Sequence, residues 1–153
     1  MALVAPFSKF KKNTYIIWIV ALAVFAGMCI YDANFNDKFK KRHTDESGKT
    51  DSIFGFNQKA PPYLFGAAVF LGAYLFIISH KKIVADDNVL NIDNRFTIAY
   101  DTIQKIDKTF FDSKGRFTIT YKAPDGSETD LEISDRNYDN LEEILNHVVS
   151  KIS

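Results

Sequence analysis

Cysteine occurs once in the 153 residues, tryptophan once, methionine twice and histidine three times. A disulfide framework needs paired cysteines and a structural zinc site needs clustered Cys and His ligands, so neither scaffold is available. Net charge is also lacking, because 19 basic residues balance 19 acidic ones. No stretch carries the dense Lys/Arg stripe that neutralising a phosphate backbone requires, so nucleic acid is not an expected partner. Missing too are a phosphate-cradling glycine loop, a dinucleotide fingerprint, paired catalytic carboxylates, and a base beside a serine or the single Cys29. Nucleophilic catalysis therefore has no assembled parts, and neither an enzymatic activity nor a small-molecule substrate is expected.

Two long uncharged runs are present instead. Tyr15 to Tyr31 reads YIIWIVALAVFAGMCIY and Tyr63 to Ser79 reads YLFGAAVFLGAYLFIIS. At ~1.5 Å per residue each run covers about 25 Å, close to the hydrocarbon thickness of a bilayer. The expected membrane domain is residues 1–80, with transmembrane helices over about 14–31 and 61–80 and a connecting loop over 32–60. Pro61 and Pro62 fall at the expected helix start, where a missing N–H is tolerated. Tyr15, Trp18, Tyr31 and Tyr63 lie near the ends, as headgroup-level rings do. A cleaved signal peptide, or a lipoprotein signal with Cys29 acylated, is the rival reading of the first run. Met28 stands where lipoprotein cleavage wants a small residue, so a retained anchor is expected.

Lys9, Lys11 and Lys12 precede the first span, and Lys81 and Lys82 follow the second. The positive-inside bias then puts both termini on the cytoplasmic side. Ala23 with Gly27 and Ala68 with Gly72 form small-xxx-small pairs that suit close helix packing. The spans contain no Asp, Glu, Lys or Arg, so the usual marks of an ion path or proton relay are missing. The loop's centre, TDESGKTDS, is polar, whereas Phe54 and Phe56 return the chain to the membrane surface as possible partner contacts. A connection this long is expected to be functional or unstructured, and a partner surface is one way to order it.

Beyond Lys81 the pattern changes to short alternating strands, KIVA, NVLNI, RFTIAY, IQKID, RFTITYK and SETDLEI, with turns at DSKG and PDG. Phe110 and Phe111, adjacent in a strand, would point to opposite faces, leaving one for a partner. Tyr138, Leu141, Ile144, Leu145, Val148 and Ile152 then recur at helical spacing, with Asp135 or Asn137 available as a cap. The expected class is α+β: a two-helix membrane hairpin followed by an antiparallel domain of five or six strands, residues 81–153, closed by one helix.

The segments KKIVADDNVLNI, FTIAYDTIQKID, KGRFTITY and DRNYDNLEEILNHV, covering about half the chain, resemble the pleckstrin-homology-like domains that bacteria attach behind one or two transmembrane helices. That resemblance implies a small, partly open barrel capped by the C-terminal helix, and a bacterial inner-membrane location. Lipid-binding members grip inositol phosphates with basic residues in the first hairpin. Here that hairpin reads Ala85-Asp86-Asp87-Asn88, which repels phosphate, so the activity does not carry over.

Asp86 and Asp87 lack the alternating spacing of a Ca²⁺ loop. His80, at the end of the second span, is the one long-shot pigment or haem ligand; a headgroup-facing imidazole is the plainer reading. No cofactor or metal is expected. What remains is a non-enzymatic accessory subunit of a larger membrane assembly, for example photosynthetic or respiratory, whose partners are other integral membrane proteins and lipid. The alternatives are a self-standing lipid-binding or sensing module at the membrane surface and a small pigment- or haem-binding subunit.

Overall fold

The computed structural model describes residues 2–152. The class is α+β. Two compact units divide the chain: one joins the N-terminal segment through Lys12 to everything from Ile77 onward, and the other runs from Asn13 to Phe76. The first unit is therefore not a continuous 81–153 domain. Its first strand precedes the first long helix.

That strand, β1 (Leu3–Pro6), pairs antiparallel with β2 (Lys82–Ala85), placing Leu3 opposite Ala85 and Ala5 opposite Ile83. β3 (Val89–Ile92) and β4 (Phe96–Ala99) complete a sheet of order β1-β2-β3-β4. Pro6 suits an edge strand, where a missing donor leaves no partner unsatisfied. The β3–β4 link turns on Asp93 and Asn94, both at positive φ (55° and 54°), with the Arg95 N–H donating to Ile92 O at 3.0 Å. Ile92 lies opposite Phe96, so the link is the three residues 93–95, and short amide or carboxylate side chains tolerate the two positive-φ positions.

After a 3-10 turn at Tyr100–Thr102, β5 (Ile103–Asp107), β6 (Arg116–Lys122) and β7 (Glu128–Ser134) form a second antiparallel sheet. The described residues hold seven strands: six lie within 81–153, as the alternation implied, and β1 is added from the N-terminal segment. Phe110 and Phe111 are not in a strand: Phe110 precedes, and Phe111 opens, the short helix α4 (Phe111–Lys114), which ends on Gly115 at φ 61°. The PDG turn links β6 to β7 as expected, with Gly126 at φ 87°.

Helix α5 (Leu141–Ile152) begins after Tyr138 and buries Leu141, Ile144, Leu145 and Val148. These residues share one core with Ala5, Ile83, Leu90 and Ile98 of the first sheet and Phe117, Ile119 and Ile133 of the second. Alternation along the strands supplies the sheet faces, and 3.6-residue spacing supplies the helix stripe. Ile152 lies outside that stripe and is exposed.

The second unit is carried by the long helices α1 (Lys9–Asn34) and α3 (Ser52–Ser79), with α2 (Asp37–Arg42) between them. The expected 32–60 loop is largely helical. Asp51 caps α3 by accepting from the Phe54 N–H at 2.9 Å, so the helix starts well before Pro61. Pro61 and Pro62 lie inside it, depriving the carbonyls of Asn57 and Gln58 of helical donors. Between α2 and α3, Asp45 Oδ1 accepts from the N–H groups of Ser47 and Lys49 at 3.0 and 2.8 Å, and Thr44 bridges Thr50. The polar segment is therefore internally bonded.

Candidate membrane anchor and interaction surfaces

Helices α1 and α3 are each long and apolar enough to cross a bilayer, and their apolar stretches are mostly exposed, unlike the core helix of a soluble protein. Ile17, Trp18, Val24 and Met28 on α1, and Val69, Phe70, Phe76 and Ile77 on α3, all face outward. Trp18, Tyr31 and Tyr63 are exposed near the ends of the runs, and Tyr15 meets Tyr74 edge-on at 5.7 Å.

Among the described residues, the glycines of the small-residue pairs line no close contact. A Cβ added to Gly27 or Gly72 would meet nothing within 4 Å, so neither glycine marks a close backbone approach. Ala68 is buried, but the small residues buried on α1 are Ala26, Cys29 and Ala33. Burial also makes Cys29 an unsuitable exposed thiol. Phe54 stacks on Phe39 at 6.3 Å and Phe56 tilts toward Phe25 at 6.5 Å, so both aromatic candidates have partners within their own unit, although Phe56 stays half-exposed.

The N-terminal segment through Lys11 is bound tightly into the β domain. The Phe7 N–H donates to Lys81 O at 3.1 Å, the Ser8 N–H to Asn137 O at 2.9 Å, and the Asp139 N–H to Pro6 O at 2.9 Å. The Lys9 N–H, at the open start of α1, donates to Asp139 Oδ2 at 3.1 Å, and Lys11 Nζ donates to Asn137 Oδ1 at 2.8 Å. Asp139 thus caps α1 from a distant loop, satisfying a donor that a helix start leaves unpaired. Lys11 is thus a strut between the start of α1 and the loop before α5. Lys12 and Lys82 are exposed.

Tyr138 donates its hydroxyl to the Asp93 carboxylate, whose other neighbour is Lys81 Nζ at 3.5 Å. Burial, and then the Asp93 carboxylate, hold the Tyr138 phenol well above its ordinary pKa. Tyr100 donates to Asp86 O at 2.8 Å, and its pKa is pushed up to about 12 by burial first and then by Asp86 and Asp87. His147 Nε2 also meets Asp86 O at 3.1 Å and Lys151 Nζ approaches Asp87 at 3.5 Å. The acidic first hairpin is therefore a clasp onto α5.

Phe111 is partly buried against the core, edge-on to Phe117 at 5.8 Å. Phe110 is exposed and lies beneath two cations, Lys114 Nζ at 4.9 Å and Arg116 Cζ at 5.4 Å from its ring centre. His80 is exposed at the end of α3, and no group of three or more His, Cys, Asp or Glu residues that could hold a metal gathers among the described residues. Sequence reasoning missed Phe7, Asp93 and Asp139, and it offered Asn137 only as a cap for α5, not as the acceptor for Ser8 and Lys11. Asp93-Asn94 between two alternating runs signals a hairpin, but nothing local announces the Tyr138 contact or the cap on α1.

Compared with known proteins, the chain matches no family model, and no curated protein or solved structure is significantly similar to it.

Proposed function

We propose that this chain is a non-enzymatic two-pass membrane protein of the bacterial inner membrane and an accessory subunit of a larger membrane complex. In this reading its β domain belongs to the pleckstrin-homology-like class and serves as a protein-interaction surface. The class assignment is supported by a four-stranded and a three-stranded antiparallel sheet sharing a core with one C-terminal helix. The observation that carries the reading is the pairing of β1 with β2. Residues before α1 and after α3 share one sheet, so helices that span must cross in opposite directions, with both termini on one face. Lys9, Lys11, Lys12, Lys81 and Lys82 support a cytoplasmic side for that face through the positive-inside bias.

Five hydrogen bonds tie the N-terminal segment through Lys11 into the β domain, which suits a domain that serves as an ordered interaction surface. Helix packing and interface burial supply the energy for such a role. The apolar faces of α1 and α3 would meet lipid or the helices of the host assembly. The test is purification of C-terminally tagged protein from its native membrane in mild detergent, followed by native mass measurement. A reproducible stoichiometric set of integral membrane proteins supports the subunit reading. A lone monomer or homodimer contradicts it.

A further inference from the structure

The outer face of the second sheet carries a cationic hollow that the proposed function does not use. It has a volume of about 370 Å³ and is lined by Ser113, Lys114, Arg116, Glu132, Ser134 and Arg136. Three cations face one carboxylate. Glu132 Oε2 accepts from Arg116 Nη1 at 3.2 Å, which leaves Lys114 and Arg136 in excess. Arg116 Nε is shielded from solvent and has no acceptor among the described residues, so a ligand in the hollow would meet the outer nitrogens of this guanidinium. Phe110 holds Lys114 and Arg116 over its ring, which orders two long side chains at a site where like charges would otherwise spread apart. Ser134 Oγ accepts from the Arg136 N–H at 3.3 Å and fixes the start of the turn. By contrast, the hollow at Arg42–Asp51 includes two carboxylates, Asp45 and Asp51, beside its cations.

We infer that this hollow binds a phosphate group, held by Arg116 and Arg136 with Lys114, and that an anionic lipid headgroup supplies it. Guanidinium forks match phosphate oxygens in charge and geometry. The lipid source is favoured by chain continuity, since Arg136 adjoins Asn137, which is bonded to Ser8 and Lys11 at the root of α1. Lys11 stands four residues before Tyr15, the first residue of the uncharged run. The hollow lies at the Arg116–Ser134 end of the β6–β7 ladder, away from the PDG turn, and is separate from the acidic Asp86-Asp87 hairpin. The headgroup assignment rests on the membrane reading above, whereas phosphate binding itself does not.

The test uses the full chain in a neutral detergent, titrated separately with phosphatidic acid, phosphatidylcholine and inorganic phosphate. Native mass spectrometry reads retained lipid, and amide and guanidinium NMR shifts read phosphate. Phosphatidic acid should be retained at one molecule per chain in preference to phosphatidylcholine, and inorganic phosphate should displace it. Lys114→Ala and Arg136→Ala change exposed side chains outside the core, so thermal unfolding should be unaltered, while each weakens retention by about fivefold, the effect of one cation near an anionic surface. Phosphate shifts at Arg116 without lipid preference would overturn the headgroup source and leave a site for a soluble phosphate compound. Equal retention by wild type and both variants, with no phosphate shifts, would overturn the site altogether. Failure of the membrane reading would instead show as a chain that stays monodisperse without detergent.

Discussion

Ala5 faces Ile83 across an antiparallel ladder, and both side chains are fully buried, although both long helices separate them in sequence. Neighbouring strands usually follow one another along the chain; here the connection between them is everything from α1 to α3. A domain opened at its first hairpin in this way fixes where the helices must start and finish.

Reporters fused ahead of Leu3 and behind α5 should therefore lie on the same side of the membrane. Protease protection in sealed vesicles reads this directly. Same-side accessibility is the expected result, and opposite sides would mean that β1 and β2 are not paired in the membrane.

The bulk of the fold was legible where a pattern is local. Uncharged runs marked the cores of α1 and α3, alternation marked β2 to β7, and Leu141, Ile144, Leu145 and Val148 marked α5. Elements defined by distant partners were not legible. LVAP is too short and too close to a proline to read as a strand until β2 lies beside it. The start of α3 depends on Asp51 reaching the Phe54 N–H, while the proline pair pointed to a later start. Phe110 and Phe111 looked like strand residues because the helix-terminating role of Gly115 shows only in its φ. The cationic hollow draws on α4, β6, β7 and the turn after β7, which no single window contains.

Gly115→Ala tests that turn. Gly115 sits at φ 61°, where a side chain is strained, and an added Cβ would overlap the Asp135 carboxylate. Asp135 is exposed and can swing away, so the backbone decides the outcome, a loss of about 1 kcal/mol by chemical denaturation. Adding Asp135→Ala should leave that loss nearly unchanged. A large rescue would show that the carboxylate overlap is the main effect.

Alkaline pH should unfold the β domain through Tyr100 and Tyr138. Both phenols have folded pKa values raised above the unfolded value, so their contribution is complete below about pH 10 and is lost as pH rises through the folded values. Thermal unfolding followed from pH 8 to 12 should show a plateau and then a steady fall. Tyr100→Phe with Tyr138→Phe should flatten that fall, because neither ring can then ionise.

Tyr138→Phe alone, at neutral pH, leaves Asp93 with Lys81 but without the hydroxyl donor. The expected destabilisation is about 1–3 kcal/mol, the loss of a hydrogen bond to a charged group. Chemical denaturation of wild type and variant measures it, and an unchanged midpoint would mean that the tie contributes nothing.

The pairing of β1 with β2 is tested most directly by replacing residues 9–80 with a short Gly/Ser linker joining Ser8 to Lys81, a span that the Phe7–Lys81 hydrogen bond shows to be short. This chain should unfold in one cooperative transition. The fragment 81–153, lacking β1 and Phe7, should be less stable by roughly 3 kcal/mol or more, from lost apolar burial and ladder bonds. Equal unfolding midpoints for the two would contradict a domain built around its N-terminal strand.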